Sequence, residues 1–473
     1  MKPELRIDVA IVGAGTAGLY ALREVRKAGR SFALIDHGPL GTTCARVGCM
    51  PSKVALQAGH LWALRSELAA IGVSGTDALV LDTRKTWAAL RKQRDVFANS
   101  GASKAREVAG EFLLTGTARF LEPTVLEVLG EDGTQQVRAK AVIIAVGSRA
   151  FKPKWLEPLG ERVLTTDNLF ELDELPRSIG ILGLGAIGLE MGLALSRLGV
   201  RVTGADVAST IAGISDPMLA ERAVARFGGD LSMWLGSAAV VESTADGLLL
   251  RSGDKEQTVD RVLASMGRIP NTDQLNLSAV GVPLDARGVP LFDPATMQVG
   301  DLPVFIAGDA NGSRPLMHEA VDEGCIAGFN AAHGGTIRFR RKVPLGIAFT
   351  APDIVAVGER YDQLGLEETV VGVAQGASNG RSRILKAEDS LLRVYADRQS
   401  GKLLGAAMMA AGGEHLAHLL AWAIQRGESA ASLLEMPFYH PVIEEMLQAA
   451  LQDIVNQLPG KGNLPSGLVL ESA

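Results

Sequence analysis

The sequence predicts an α/β fold: two doubly wound, Rossmann-like domains followed by a C-terminal α+β domain. Two matching stretches carry the first part. Asp8-Val9-Ala10-Ile11-Val12 is an apolar run that leads into Gly13-x-Gly15-x-x-Gly18, with Asp36 eighteen residues past the last glycine. Ser178-Ile179-Gly180-Ile181-Leu182 repeats the design into Gly183-x-Gly185-x-x-Gly188, with Asp206 again eighteen residues on. One such motif is a weak signal, but two, each in strand, turn and helix context with an acid at the right distance, point to two dinucleotide-binding sites. The glycines make the tight turn and let the backbone approach a pyrophosphate at a helix N-terminus, while the carboxylate accepts ribose hydroxyls. The third observation is length. A chain of 473 residues exceeds one core and implies about three or four domains.

Composition excludes several classes. Hydrophobic residues make up 47% and charged residues 21%, and the formal net charge is −6, so there is no basic footprint for nucleic acid or an anionic membrane. No apolar run approaches the ~20 residues that span a bilayer. The stretch Met1 to Asp8 lacks the layout of a secretory signal, and the expected compartment is the cytoplasm. Three cysteines in so long a chain argue against a structural disulfide framework.

Two of those three stand close together, in Gly41-Thr42-Thr43-Cys44-Ala45-Arg46-Val47-Gly48-Cys49-Met50-Pro51-Ser52-Lys53. A regular helix would hold residues five apart more than about 7 Å from each other, beyond disulfide reach. Pairing therefore requires a bend, for which Gly48 and Pro51 supply local freedom and a break. A bridge across such a turn is expected to be strained and easily reduced, which suits a redox-active pair. Cys325 is expected to be a small buried hydrophobe.

This pattern resembles the class I pyridine nucleotide-disulfide oxidoreductases, nearly end to end, and within them most of all the dihydrolipoamide dehydrogenases. The resemblance implies FAD at the N-terminal glycine motif and the nicotinamide nucleotide at the internal one. It implies that Cys44 exchanges with the substrate, that Cys49 faces the flavin, and that Lys53 lies beside flavin N5, paired with Glu190. Gly147 in Ala145-Val146-Gly147 matches the family's Ala-Thr-Gly with the hydroxyl removed. Gly267-Arg268-Ile269-Pro270-Asn271 matches the turn that leaves the nucleotide domain. Asp309, ending Val304 to Gly308, matches the acid that holds the ribityl chain, and a helix from Met317 and His318 would aim its amides at the flavin. The implied domains are 1–150 for FAD, 151–272 for NAD, 273–337 completing the FAD site, and 338–473 for dimerisation.

Near the end stands Phe438-Tyr439-His440-Pro441-Val442-Ile443-Glu444-Glu445. In the family, a histidine-proline with a glutamate five residues past the histidine forms a dyad, so the resemblance makes His440 the acid-base residue and Glu445 its orienting group. Only a thiolate attacks a disulfide, and histidine is the base poised near neutrality. The dyad would reach the cysteines of the partner subunit, which makes a homodimer necessary. The family's usual His-x-His lead-in is absent, and Val442 and Glu444 also depart from it. The expected substrate is a dithiol such as a lipoyl group, with NAD⁺ as acceptor and a 2-oxo acid dehydrogenase complex as a candidate partner. The rival reading is an NADH-dependent reductase of another disulfide, metal or quinone.

Two further features carry less. His415 and His418, three apart on an expected helix, lack a third ligand, so no metal site is expected. The basic run Arg338-Phe339-Arg340-Arg341-Lys342 reads as a solvated linker at the last domain boundary.

Asp206 also sets nucleotide choice, because Val207 to Thr210 offer no arginine for a 2′-phosphate. The enzyme is expected to prefer NAD over NADP by a wide margin, since a phosphate beside this carboxylate costs several kcal/mol. Equal kcat/KM for the two nucleotides would refute this.

Overall fold

The first glycine turn stands at the end of Leu5–Val12, a strand with parallel neighbours on both sides, Phe32–Asp36 and Gly133–Ile144. Val9 to Val12 are all buried, which is why the sequence shows a continuous apolar run and no alternation. The computed structural model describes residues 2–459 and 465–471. The sheet runs in the order Leu113–Thr115, Phe32–Asp36, Leu5–Val12, Gly133–Ile144, Val125–Gly130, Thr117–Glu122. Gly133–Ile144 pairs antiparallel with Val125–Gly130 at its start and parallel with Val304–Ile306 at its end. Residues near 300 therefore complete the first sheet. Leu275, Val280, Val289 and Val299 bury in one core with Ile7 and Val142.

The second glycine turn follows Ser178–Leu182 in a five-stranded sheet ordered Ser232–Leu235, Arg201–Asp206, Ser178–Leu182, Arg261–Ala264, Val163–Leu164. All four of its pairings are parallel. The chain enters and leaves this unit along a two-stranded antiparallel ribbon, Ser148–Ala150 against Arg268–Pro270. Last comes a five-stranded sheet, Leu345–Ala348, Asp353–Gly358, Leu403–Ala410, Leu391–Asp397, Thr369–Gln375, antiparallel throughout. Helices Gly413–Arg426 and Glu444–Gln457 bury Leu416, Leu420, Leu447 and Leu451 in its core. No described helix is long and apolar enough to cross a membrane.

Buried ion pairs tie these units together. Asp216 caps helix Pro217–Phe227 through the amides of Met218 and Leu219. Its other oxygen accepts from Arg393 Nε at 2.6 Å and Tyr395 Oη at 2.7 Å on the C-terminal sheet. The basic run 338–342 is not a free linker: Arg341 bridges the buried Glu319 and Glu323, Arg338 pairs with Asp293, and Lys342 with Asp322. Three of these acids lie at i, i+3 and i+4 on helix Met317–His333, a face that a local count of charges does not reveal.

Replacing Asp216 with alanine removes a helix cap and strands the buried Arg393, a loss of about 3–5 kcal/mol. A clear fall in thermal midpoint is expected. An unchanged midpoint would show that the two units are held together by apolar contact alone.

Candidate active site

The three glycines of each motif meet three different constraints. Gly13 has φ +110°, and a Cβ there would meet the Ala145 carbonyl at 2.2 Å; a Cβ on Gly18 would meet the Gly13 carbonyl at 1.9 Å. The middle residue, Gly15, faces open space, with nothing within 4 Å of its Cβ position. Gly183, Gly185 and Gly188 repeat this: φ +91° with the Ser265 carbonyl at 2.6 Å, nothing within 4 Å, and the Gly183 carbonyl at 1.9 Å. Two glycines thus allow close packing, and the third leaves room for a phosphate. Asp36 accepts from the Ala14 and Gly38 amides, both at 2.7 Å, and Asp206 from Leu184 and Ala208 at 2.6 and 2.9 Å. Both carboxylates are aimed by the backbone, with lone pairs left for ribose hydroxyls.

Cys44 lies on the short helix Thr43–Val47 and Cys49 opens helix Cys49–Ala63. The break between them is at Gly48 alone, at φ −125°, ψ −115°. Pro51 does not break the chain. It sits in the first turn of the second helix, where its missing N–H leaves nothing unpaired. The cysteines are unlinked. The Cys44 thiol hydrogen-bonds Cys49 and, with the Lys53 charge, holds Cys49 down to about 7, while its bond to Cys49 and burial push Cys44 up.

One turn further on, Lys53 Nζ donates to Glu190 Oε2 at 2.7 Å and Oε1 at 2.9 Å. Glu190 is only 4% exposed, and it also accepts from the Phe349 amide at 3.0 Å. The Phe349 ring lies 4.7 Å from the ammonium, a cation–π contact. Cys44, Cys49, Lys53 and Glu190 line one cleft together with Gly15 of the first motif and Ala186 and Ile187 of helix Ala186–Arg197, which follows the second glycine turn.

Gly147 and Asp309 line the same cleft. Asp309 Oδ2 accepts from Ser148 Oγ at 2.6 Å, and Arg268 donates to both the hydroxyl and the carbonyl of Ser148 at 2.7 Å. Gly308 N and Asn311 Nδ2 both donate to the buried Glu323 at 2.7 Å. Met317 lines the cleft, but His318, one position along the helix, does not; it turns to the exposed side. Gly267 has φ +108° and open space around it, and lies outside the lining. Thr166, on the short helix Thr166–Leu169, escaped sequence reasoning because no motif marks it. The residue lines the cleft, while its hydroxyl is buried without a partner.

His440 Nδ1 lies 2.9 Å from Glu445 Oε1, whose second oxygen accepts from the Val442 amide at 3.1 Å. The histidine and this amide hold the Glu445 carboxyl below its ordinary value. The His440 side chain is 78% exposed and does not line the cleft of its own chain. Cys325 is no plain apolar filler, since Arg23 Nη2 donates to its sulfur at 3.2 Å. His418 Nδ1 is 2.6 Å from the Glu414 carbonyl, and His415 Nε2 is 3.7 Å from a Glu414 oxygen.

Comparison with known proteins places the chain in a family. The pyridine nucleotide-disulphide oxidoreductase family matches residues 7–324, and its dimerisation domain matches residues 345–451. The chain belongs to this family. Relatives include a dihydrolipoyl dehydrogenase of Bacillus subtilis, 29% identical over 94% of this chain and 98% of its own. The mitochondrial dihydrolipoyl dehydrogenase of Pisum sativum is also 29% identical, over 94% and 90% of the two chains. The fold is shared with LpdA of Mycobacterium tuberculosis, TM-score 0.82 at 22% identity over 95% and 99% of the two chains. It is shared too with the HOCl-induced flavoprotein disulfide reductase RclA of Escherichia coli, solved as a Cu(II) complex, TM-score 0.81 at 21% identity over 94% and 99%. The protein is a flavoprotein disulfide oxidoreductase whose cofactors are FAD and NAD. The residues fit FAD: the open middle glycine leaves room for a phosphate, and Asp36, aimed by two backbone amides, keeps lone pairs for ribose hydroxyls.

Because its pKa is lowered, Cys49 is expected to react with iodoacetamide as a thiolate from about pH 7 upward and to slow as pH falls below that. Cys44→Ala removes the donor, so the half-rate pH moves up toward the ~8.5 of an ordinary thiol. Cys44→Ser keeps a hydroxyl donor and stays lower. Identical profiles for the two variants would assign the effect to Lys53.

Proposed function

We propose that this chain is a dihydrolipoyl dehydrogenase, oxidising a dihydrolipoyl dithiol with NAD⁺. The observation that carries this is the single cleft in which Cys44, Cys49, Lys53 and Glu190 meet the starts of both glycine-turn helices. Relatives named for this activity over almost the whole chain support it. Residues 1–150 and 273–337 build the FAD site around Gly13, Gly15, Gly18, Asp36, Gly147, Asp309 and the helix start at Met317. Residues 151–272 place NAD on Gly183, Gly185, Gly188, Asp206 and Gly267. Residues 338–473 form the homodimer.

In the working sequence, His440 Nε2 takes a proton from one substrate thiol, with Nδ1 held by Glu445. The resulting thiolate attacks Cys44 Sγ of a Cys44–Cys49 disulfide. The S–S bond breaks and Cys49 leaves as a thiolate, which the nearby Lys53 charge favours. The second substrate thiol then displaces Cys44, closing the substrate disulfide and returning the Cys44 thiol. FAD, when bound, supplies the two-electron carrier between Cys49 and the nicotinamide. Lys53, fixed by Glu190, puts a positive charge beside that carrier.

On this reading the base for each cleft comes from the partner subunit, in keeping with His440 lying outside the cleft of its own chain. His440→Gln is expected to slow dithiol oxidation by roughly 10²-fold or more, while NADH oxidation by an artificial acceptor survives. Mixed dimers of a Cys44→Ser chain and a His440→Gln chain contain one site with both defects and one with neither. They should recover about half of the wild-type activity, an estimate that follows from one intact site in two. Hybrids as inactive as either parent would place the histidine in its own chain's site.

A second reading, NADH-driven reduction of another disulfide, metal or quinone, is favoured by Phe438 and the 80% exposed Tyr439 where the family has a histidine lead-in. Turnover of dihydrolipoamide with NAD⁺, set against NADH-driven reduction of these acceptors, decides between them. A rate with dihydrolipoamide far below that with another acceptor would displace the first reading.

A further inference from the structure

One buried cation takes no direct part in this chemistry. Arg94, on helix Thr83–Ala109, is 7% exposed. Its Nη1 donates to the Arg46 carbonyl at 3.1 Å and to Glu171 Oε1 at 2.7 Å, Nη2 reaches Glu171 Oε2 at 3.2 Å, and Nε reaches Asp95 at 2.6 Å. The Arg46 carbonyl belongs to the end of the Cys44 helix, just before the break at Gly48. Carbonyls at a helix end have no partner within the helix, and here a guanidinium supplies one. The same long helix moulds the start of the loop: a Cβ on Gly41 would meet the Ala98 carbonyl at 2.6 Å, and one on Gly101 would meet the Gly41 carbonyl at 3.3 Å.

We infer that Arg94 is a positioning residue that clamps the end of the Cys44 turn and so sets the approach of Cys44 to Cys49. Arginine suits this task because its planar fork holds a carboxylate with two donors while the same guanidinium spares a donor for the carbonyl. A lysine could reach the carbonyl or the carboxylate but could not brace one against the other. Within the chain, the charged and titratable groups that act on Cys49 are Cys44, Lys53 and Glu190, and on the proposed reading His440 of the partner subunit joins them in the dimer. Arg94 is not among them, so its influence passes through the placement of Cys44.

The inference rests on the proposed reading that Cys49 faces the flavin, and the test separates the two. In the two-electron-reduced holoenzyme, a Cys49 thiolate beside oxidised flavin gives a long-wavelength absorbance band that disappears as pH falls through the thiol's pKa. In Arg94→Met, the midpoint of that titration is expected to rise by about one pH unit, toward the ordinary thiol value. Dithiol oxidation should fall roughly tenfold or more, as for a misplaced reacting group, while NADH oxidation by ferricyanide and FAD content hold. Arg94→Lys should lie between. Glu171→Ala, which truncates a half-exposed side chain, should shift the midpoint in the same direction and serves if Arg94→Met does not fold. An unmoved midpoint in either variant, or a parallel loss of both activities, overturns the inference. A wild-type holoenzyme without the band overturns the reading beneath it as well.

Discussion

The structure turns on one buried carboxylate. Glu190 lies on the helix that follows the second glycine turn, with almost no access to water, so its charge must be met from inside. It is met by Lys53, on the helix that begins with Cys49, and by the Phe349 amide, at the edge of the C-terminal sheet. Three units distant in sequence thus converge on a single pair of oxygens. Their convergence forms the cleft, because shifting the helix that carries Lys53 off the helix that carries Glu190 would leave a buried carboxylate without its partner. Close backbone packing enforces the same contact: a Cβ on Gly59 would meet the Ala194 carbonyl at 3.0 Å.

The other units join by the same kind of contact. Asp216 with Arg393 and Tyr395 fastens the nucleotide unit to the C-terminal sheet, and Arg341 with Glu319 and Glu323 fastens the connecting segment to the helix behind Asp309. Glu323 uses one oxygen on Arg341 and the other on Gly308 N and Asn311. The segment that leads into the dimerisation domain therefore helps hold the backbone beside the proposed ribityl ligand. Such charge pairs are directional, so they fix angles between units that apolar packing alone would leave loose.

The sequence made the local features legible. Both glycine turns, both aimed acids and the cysteine spacing are set by residues within one strand, turn and helix, where spacing translates directly into geometry. It was silent on contacts made by residues far apart. Nothing near Thr166 marks it as a cleft residue, and the bracing of Asp309 by Ser148 and Arg268 joins positions more than a hundred residues apart. The run at 338–342 reads as free charge because its partners lie far upstream, Asp293 in one loop and three acids on one face of a helix whose burial the sequence does not announce. Pro51 misleads for a different reason: proline interrupts a helix interior but is welcome in a first turn, and the choice depends on where the helix starts, which Gly48 decides.

On the proposed reading, each chain carries only half of a site, and the C-terminal structure fits that division. Helix Glu444–Gln457 is anchored by Met446, Leu447 and Leu451 in the core of its own sheet, so the loop before it is rigidly based although its tip is exposed. Glu445 occupies the first turn of that helix, where an anion is favoured, and from there holds His440 Nδ1 while the opposite ring nitrogen stays available. The exposed imidazole and the exposed Tyr439 beside it are free to meet a second copy on this reading. Building the base on the partner couples assembly to chemistry: the surface that completes the dimer is also the one that delivers the proton acceptor. An isolated chain would then bind both nucleotides and keep its thiol pair, yet have no base to start exchange with a dithiol.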